Sequence, residues 1–152
     1  EMKKINIYSA GDKRMINPDW FTSKVLMKDI SSKIKSKDQD IYHVYFQDGA
    51  KTKLHLHNGN QILISTKGVG SLEIFRKYGT SKKNFKIKRI EKISLKEGDI
   101  AYIPSNTLHA HGSIDKKKTF SHIAINIHPS KNLEYKTIWY ESNFKTDVTK
   151  IV

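Results

Sequence analysis

Apolar and polar residues alternate with a period of two along much of this chain, a pattern that fits strands and not helices. Tyr42, Val44 and Phe46 alternate with His43, Tyr45 and Gln47. Leu54 and Leu56 alternate with His55 and His57, and Ile123, Ile125 and Ile127 with His122, Ala124 and Asn126. Turn-forming clusters punctuate the pattern at Asp48-Gly49, Asn58-Gly59-Asn60, Lys67-Gly68, Glu97-Gly98-Asp99 and Pro104-Ser105-Asn106. Short strands with turns roughly every 8–12 residues predict an all-β sandwich or barrel. The charged, weakly patterned stretch from Lys77 to Glu91 reads as a long hairpin, and residues 23–40 as a strand or one short helix. The chain has 152 residues, without a Ser/Gly/Pro-rich linker or an internal repeat, and reads as a single domain over residues 1–152.

Several function classes fall away at once. The sequence contains no cysteine, so disulfides, Cys-ligated zinc, iron–sulfur clusters and thiol nucleophiles are excluded. No apolar run approaches the ~18 residues of a membrane span, and the N-terminal stretch lacks the apolar centre of a signal peptide. The expectation is a cytoplasmic protein with no membrane partner. The net charge of +13 raises nucleic acid as a partner, but only Arg14, Arg76 and Arg89 are arginines. Base and phosphate readers favour the planar fork of Arg. The lysines are spread along the chain, with short clusters at Lys33/Lys35/Lys37, Lys82–Lys88 and Lys116–Lys118. They read as solvated charge, and no specific nucleic-acid partner is expected.

Five of the seven histidines fall in three short windows. On a strand, the i, i+2 spacing of His55 and His57 sends both imidazoles to one face. Gln61 follows across the Gly59 turn, so its amide can return to that face. His109 and His111 repeat the spacing, and His122 follows on the next strand. A lone strand histidine is usually a satisfied core or surface residue; two His-x-His pairs on a rigid sheet are the arrangement a metal site needs. Elsewhere the ordinary reading prevails. His43 points away from the Tyr42/Val44/Phe46 face and is expected outside the pocket, and His128 before Pro129 is expected to be exposed. Tyr42, Val44, Phe46 and Tyr102 serve equally as barrel lining or core. Glu97 and Asp99 are turn formers. Neither a Ser–His–Asp set nor a phosphate-cradling glycine loop is visible.

Two longer patterns carry a resemblance. Gly49-Ala-Lys-Thr-Lys-Leu-His55-Leu-His57-Asn-Gly-Asn-Gln61, with six residues before Gly68, resembles the first cupin motif, G-x5-H-x-H-x3–4-E-x6-G. Gly98-Asp-Ile-Ala-Tyr-Ile-Pro104-Ser-Asn106-Thr-Leu-His109 resembles the second, G-x5-P-x-G-x2-H. Together they cover about residues 40–128. Asn106 replaces the motif glycine, and Asn tolerates a left-handed turn conformation; Gln61 replaces the usual glutamate. With His-Ala-His-Gly at 109–112, Ser-His-Ile-Ala-Ile at 121–125 and Trp20-Phe21-Thr22, the sequence is similar to small cupins related to bacterial manganese-dependent hydroxynitrile lyases. Cupins associated with carboxymuconolactone decarboxylases share this pattern. The resemblance implies a double-stranded β-helix (jelly-roll) barrel, a homodimer, and one divalent transition metal per chain. Manganese or iron is favoured, with zinc or nickel possible after recombinant expression. It makes His55, His57, Gln61 and His109 the ligands, with His111 and His122 catalytic residues beside them.

The implied chemistry is a metal-dependent lyase acting on a small hydroxylated or carbonyl substrate. Three imidazoles and a neutral amide leave the full charge on the metal, which strengthens it as a Lewis acid. An imidazole is poised near neutral pH, so His111 or His122 can accept a proton; His111 can equally brace His109. Two other functions share these residues: an iron-dependent dioxygenase, and a non-catalytic small-ligand-binding cupin. Fold alone does not choose among them.

Overall fold

The computed structural model describes residues 2–9 and 11–152. After the short strand β1 (Asp12–Lys13) and a 3-10 turn at Pro18–Trp20 come β2 (Val25–Asp29) and the one-turn helix α1 (Ser31–Ile34). Residues 23–40 thus hold both of the elements that the sequence offered as alternatives. The helix ends where Lys35 turns left-handed at φ 54°. The remaining strands are β3 (Gln39–Phe46), β4 (Leu54–His57), β5 (Gln61–Lys67), β6 (Val69–Tyr78), β7 (Asn84–Lys96), β8 (Ile100–Ile103), β9 (His109–Ser113), β10 (Phe120–Ile127), β11 (Thr137–Ser142) and β12 (Asp147–Lys150). β6 and β7 form the long charged hairpin, paired from Val69↔Lys96 to Tyr78↔Lys86.

The strands divide into two sets. One is a sheet in the order β1-β2-β3-β10-β5-β8. The other follows β11-β12-β7-β6-β9-β4, with β11 also paired to β4. This mostly β, two-sheet architecture resembles the double-stranded β-helix. Registry explains what the first sheet presents inward. Phe46, Val44, Tyr42 and Asp40 on β3 stand opposite Phe120, His122, Ala124 and Asn126 on β10, and β10 in turn sets Ala124 against Leu63 and Asn126 against Gln61 on β5. Because alternate side chains share a face, these residues all point into the space between the sheets, from the aromatic Phe46/Phe120 row at one end to the polar Asp40/Asn126/Gln61 row at the other. Phe46, Leu63, Leu72, Leu95, Ile103 and Phe120 build the core there, and a second cluster around Leu54, Phe75, Leu108 and Tyr140 closes the far end.

Two expectations change, for Tyr102 and His128, and a third, for His43, holds with an addition. Tyr102 belongs to the outer face of the first sheet and is 59% exposed, because its β8 neighbours Ala101 and Ile103 take the inward positions. His43 does lie on the outer face, away from the cavity, yet it is fully buried. The N-terminal segment covers it, with the Ile7 carbonyl 3.2 Å from Nδ1 and Thr66 Oγ1 3.0 Å from Nε2. His128 is only partly exposed, with Nε2 3.0 Å from the Asp40 carboxylate.

Candidate metal site and its cavity

β4 starts with Leu54, which is fully buried in the second core cluster. That anchor sends His55 and His57 to the opposite face. His55 stands directly across from His109 on β9. One imidazole nitrogen from each of His55, His57 and His109 lies within 4.8 Å of the others, and all three side chains are buried. The outward nitrogens are already occupied. His55 Nδ1–H donates to the Lys53 carbonyl at 2.8 Å, and His109 Nδ1–H donates to the Thr107 carbonyl at 2.7 Å. His57 Nδ1 meets the Thr137 hydroxyl at 2.7 Å. A carbonyl only accepts, so the proton of His55 and His109 is fixed on Nδ1 and the Nε2 lone pair faces inward.

Electrostatics keep these rings neutral. Burial pushes His55 well below the usual imidazole range, and the neighbouring His109, His57 and His111 add to this. Burial and then His109 bring His57 down to about 3, while the nearby Gln61 side-chain oxygen favours the charged ring; burial brings His109 down to about 4. Neutral imidazoles are the form that binds a divalent metal. Gln61, at the start of β5, is buried beside them. Its Nε2 donates to Asn126 Oδ1 at 2.8 Å, which leaves Oε1 without a partner.

His111 and His122 form a separate pair. Thr52 holds His111 from both sides: its N–H donates to the His111 carbonyl at 2.8 Å, and its hydroxyl accepts from the His111 N–H at 3.1 Å. His111 Nδ1 lies 3.1 Å from His122 Nε2, leaving His111 Nε2 and His122 Nδ1 unpartnered. Phe46 packs against both rings, with centroids 5.9 and 5.2 Å away. Burial lowers both pKa values, His122 to about 3, so the pair carries no charge at neutral pH. His55, His57, Gln61, His111 and His122 all face one cavity of about 260 Å³.

The structure adds residues that the motifs do not reach. β11 pairs with β4 so that Thr137 stands opposite His57 and Trp139 opposite His55. Trp139 stacks on His55 at 4.4 Å and on Trp20 at 5.0 Å. Tyr135 packs on His57 at 4.8 Å, and Arg14 and Asp40 line the same cavity. The alternation of Thr137 and Trp139 with Ile138 and Tyr140 is visible in the sequence, but nothing in it says which strand they join.

With this geometry in hand, comparison with known proteins is informative. The family model described as cupin matches residues 37–149. A cupin-like protein from Thermotoga maritima is 28% identical, with a TM-score of 0.63 over 91% of this chain and 90% of that one. A cupin superfamily protein from Desulfitobacterium hafniense, 18% identical, has a TM-score of 0.51 over 68% of this chain and 77% of that one. Bacillus subtilis oxalate decarboxylase is 22% identical, with a TM-score of 0.54 over 76% of this chain and 27% of that one. The last two likenesses show the fold alone. A search of curated proteins gives no match. These comparisons reach cupins in general and do not single out hydroxynitrile lyases or cupins associated with carboxymuconolactone decarboxylases.

Proposed function

This chain belongs to the cupin family, and on that premise we propose that it is a metal-dependent enzyme whose reaction is hydroxynitrile-lyase-like carbon–carbon cleavage of a small hydroxylated substrate. The observation that carries the reading is a set of inward, buried donor atoms with nothing to bind. His57 Nε2, His109 Nε2 and Gln61 Oε1 lack hydrogen-bond partners among the described residues. Leaving each such atom unsatisfied costs about 1–3 kcal/mol, and a divalent transition ion would take all of these lone pairs. His55, His57, His109 and Gln61 are the residues that would hold it. When bound, a manganese or iron ion supplies Lewis-acid polarisation of a substrate oxygen.

The rest of the chemistry belongs to the chain. For His111 Nε2 to accept a proton, its Nδ1–H must donate to His122 Nε2, which places the other proton on His122 Nδ1. In that tautomer His111 Nε2 is a bare lone pair facing the cavity. It takes the substrate hydroxyl proton as the carbon–carbon bond breaks, and the bonding electrons leave with cyanide. The buried pair resists carrying charge, but the new cation appears together with the departing anion, which offsets the cost. His111 then returns the proton to cyanide. Trp139, Phe46 and Val44 line the cavity and exclude water around this transfer.

The test is anaerobic cleavage of mandelonitrile by wild type, His111→Ala and chelator-treated protein at equal concentration. Wild type should exceed both controls by about 10²-fold, the lower end for general acid–base help. In a parallel aerobic assay, oxygen consumption without cyanide release would instead establish a dioxygenase. Ligand-induced stabilisation without either reaction would establish a binding module.

A further inference from the structure

We propose that Arg14 and Tyr135 form the recognition end of this cavity and select a small organic acid, with the carboxylate bound by Arg14 and an adjacent substrate oxygen by Tyr135. The identity of the reacting end rests on the function proposed above; the recognising end rests on different residues.

The Tyr135 hydroxyl is buried and has no hydrogen-bond partner among the described residues, although it lines the cavity. A phenol is protonated at neutral pH, so the hydroxyl enters the cavity as a donor. Its position is built. Asn58, next to His57, brackets it on both sides. The Asn58 N–H donates to the Lys136 carbonyl at 3.0 Å, its Nδ2 donates to the Glu134 carbonyl at 3.0 Å, and its Oδ1 accepts from the Lys136 N–H at 2.8 Å. Gly59 makes room for the ring: a Cβ there would sit 2.9 Å from it. The ring is thereby fixed against His57, and its hydroxyl is left for a ligand oxygen.

Arg14 is the one arginine facing the cavity. Its backbone is tied to β2 by a 2.8 Å bond from its N–H to the Met27 carbonyl, and its guanidinium lies 4.8 Å above the Tyr42 ring. Among the described residues no carboxylate is within ion-pair distance of it. Besides the Tyr42 ring, its guanidinium meets Met27, with Nη1 3.9 Å from Sδ. Asp40, the one carboxylate lining the cavity, has His128 Nε2 3.0 Å from its Oδ1. A guanidinium fork held on an aromatic ring is the group that matches a carboxylate. The candidate ligand set is three imidazoles and an amide, so it contributes no negative charge to oppose an anion held by Arg14.

The test is calorimetric binding of mandelate and of its neutral isostere mandelamide to the purified protein. Wild type should prefer mandelate by about tenfold or more, the scale of a charge-assisted hydrogen bond. Arg14→Gln should abolish that preference while leaving mandelamide affinity within about twofold, and Arg14→Lys should keep part of it. Tyr135→Phe should weaken both ligands by about three- to tenfold without changing their ratio. Melting temperatures of the variants should match wild type. Equal binding of the two ligands by wild type, or equal weakening of both by Arg14→Gln, would overturn the proposal, as would absence of binding. Metal content separates the two readings. Metal-replete protein lacking carboxylate preference loses only this inference, whereas carboxylate preference in protein that takes up no metal loses only the proposed reaction.

Discussion

The hydroxyl of Thr137 does for His57 what main-chain carbonyls do for His55 and His109: it occupies Nδ1 and leaves Nε2 for the cavity. A side-chain hydroxyl can be removed without moving the backbone, which makes this contact separately testable. Thr137→Val keeps the shape and deletes the hydrogen bond. Metal affinity measured by chelator competition should fall by about 10- to 100-fold, the usual effect of losing such a support; unchanged affinity would show that the imidazole is held by packing alone. His55, His57 and Gln61 could be grouped from the sequence because their spacing is local, within a strand or across one turn, whereas His109, on β9, joined them only through the motif resemblance. Thr137 and Tyr135 could not, because their roles arise from pairing between strands 80 residues apart, as the His57–Thr137 contact shows.

At the scale of elements, the turn between β4 and β5 is where sequence and packing meet. Gly59 lies beneath the Ile127 carbonyl, and a Cβ there would approach that oxygen to 2.3 Å as well as crowding the Tyr135 ring. Neither β10 nor the bracketed 134–136 segment can yield freely, so Gly59→Ala should cost about 1–3 kcal/mol, as overpacking does. Urea unfolding would show it as a lowered midpoint; a wild-type midpoint would contradict the packing described. Asn106 illustrates what was legible. It adopts φ 62°, the left-handed turn conformation expected for a residue standing in for glycine, and its N–H donates to the His57 carbonyl at 2.7 Å. The period-two pattern gave the strands around the motifs. It could not give the partner of β11, nor that His43, on the outer face, would be buried by the N-terminal segment. Those facts depend on which surfaces meet, and alternation reports only which face of a strand is apolar.

For the whole molecule, five buried histidines make stability depend on pH. His55, His57, His109, His111 and His122 all have folded-state pKa values pushed below the ordinary 6.5. Below pH 6.5 the unfolded chain therefore binds more protons than the folded one. The stability from holding them neutral is complete above about pH 6.5 and is lost as pH falls toward the folded values, about 3 for His57 and His122 and about 4 for His109. Together they give a slope of up to roughly 7 kcal/mol per pH unit against a total of roughly 5–15 kcal/mol, so acid unfolding should centre near about pH 5. Circular dichroism that stays native at about pH 3.5, where the unfolded chain would already hold every one of these protons, would contradict this. The outer face of the first sheet carries the half-buried Ile62, Ile64 and Ile125 beside Ile100 and Tyr102, which are 68% and 59% exposed. An apolar face of this kind needs a cover, and a two-fold dimer is the expected one. Light scattering should give twice the 17.6 kDa chain mass, and a monomer across micromolar concentrations would refute the dimer. The central claim is a metal centre built from His55, His57, Gln61 and His109, with His111 outside it. The direct measurement is elemental analysis of freshly purified wild type, His109→Ala and His111→Ala after equal exposure to manganese. One divalent transition ion per chain is predicted for wild type, near-complete loss for His109→Ala, and retention for His111→Ala. Equal loss in the two variants, or no metal in wild type, would contradict the account.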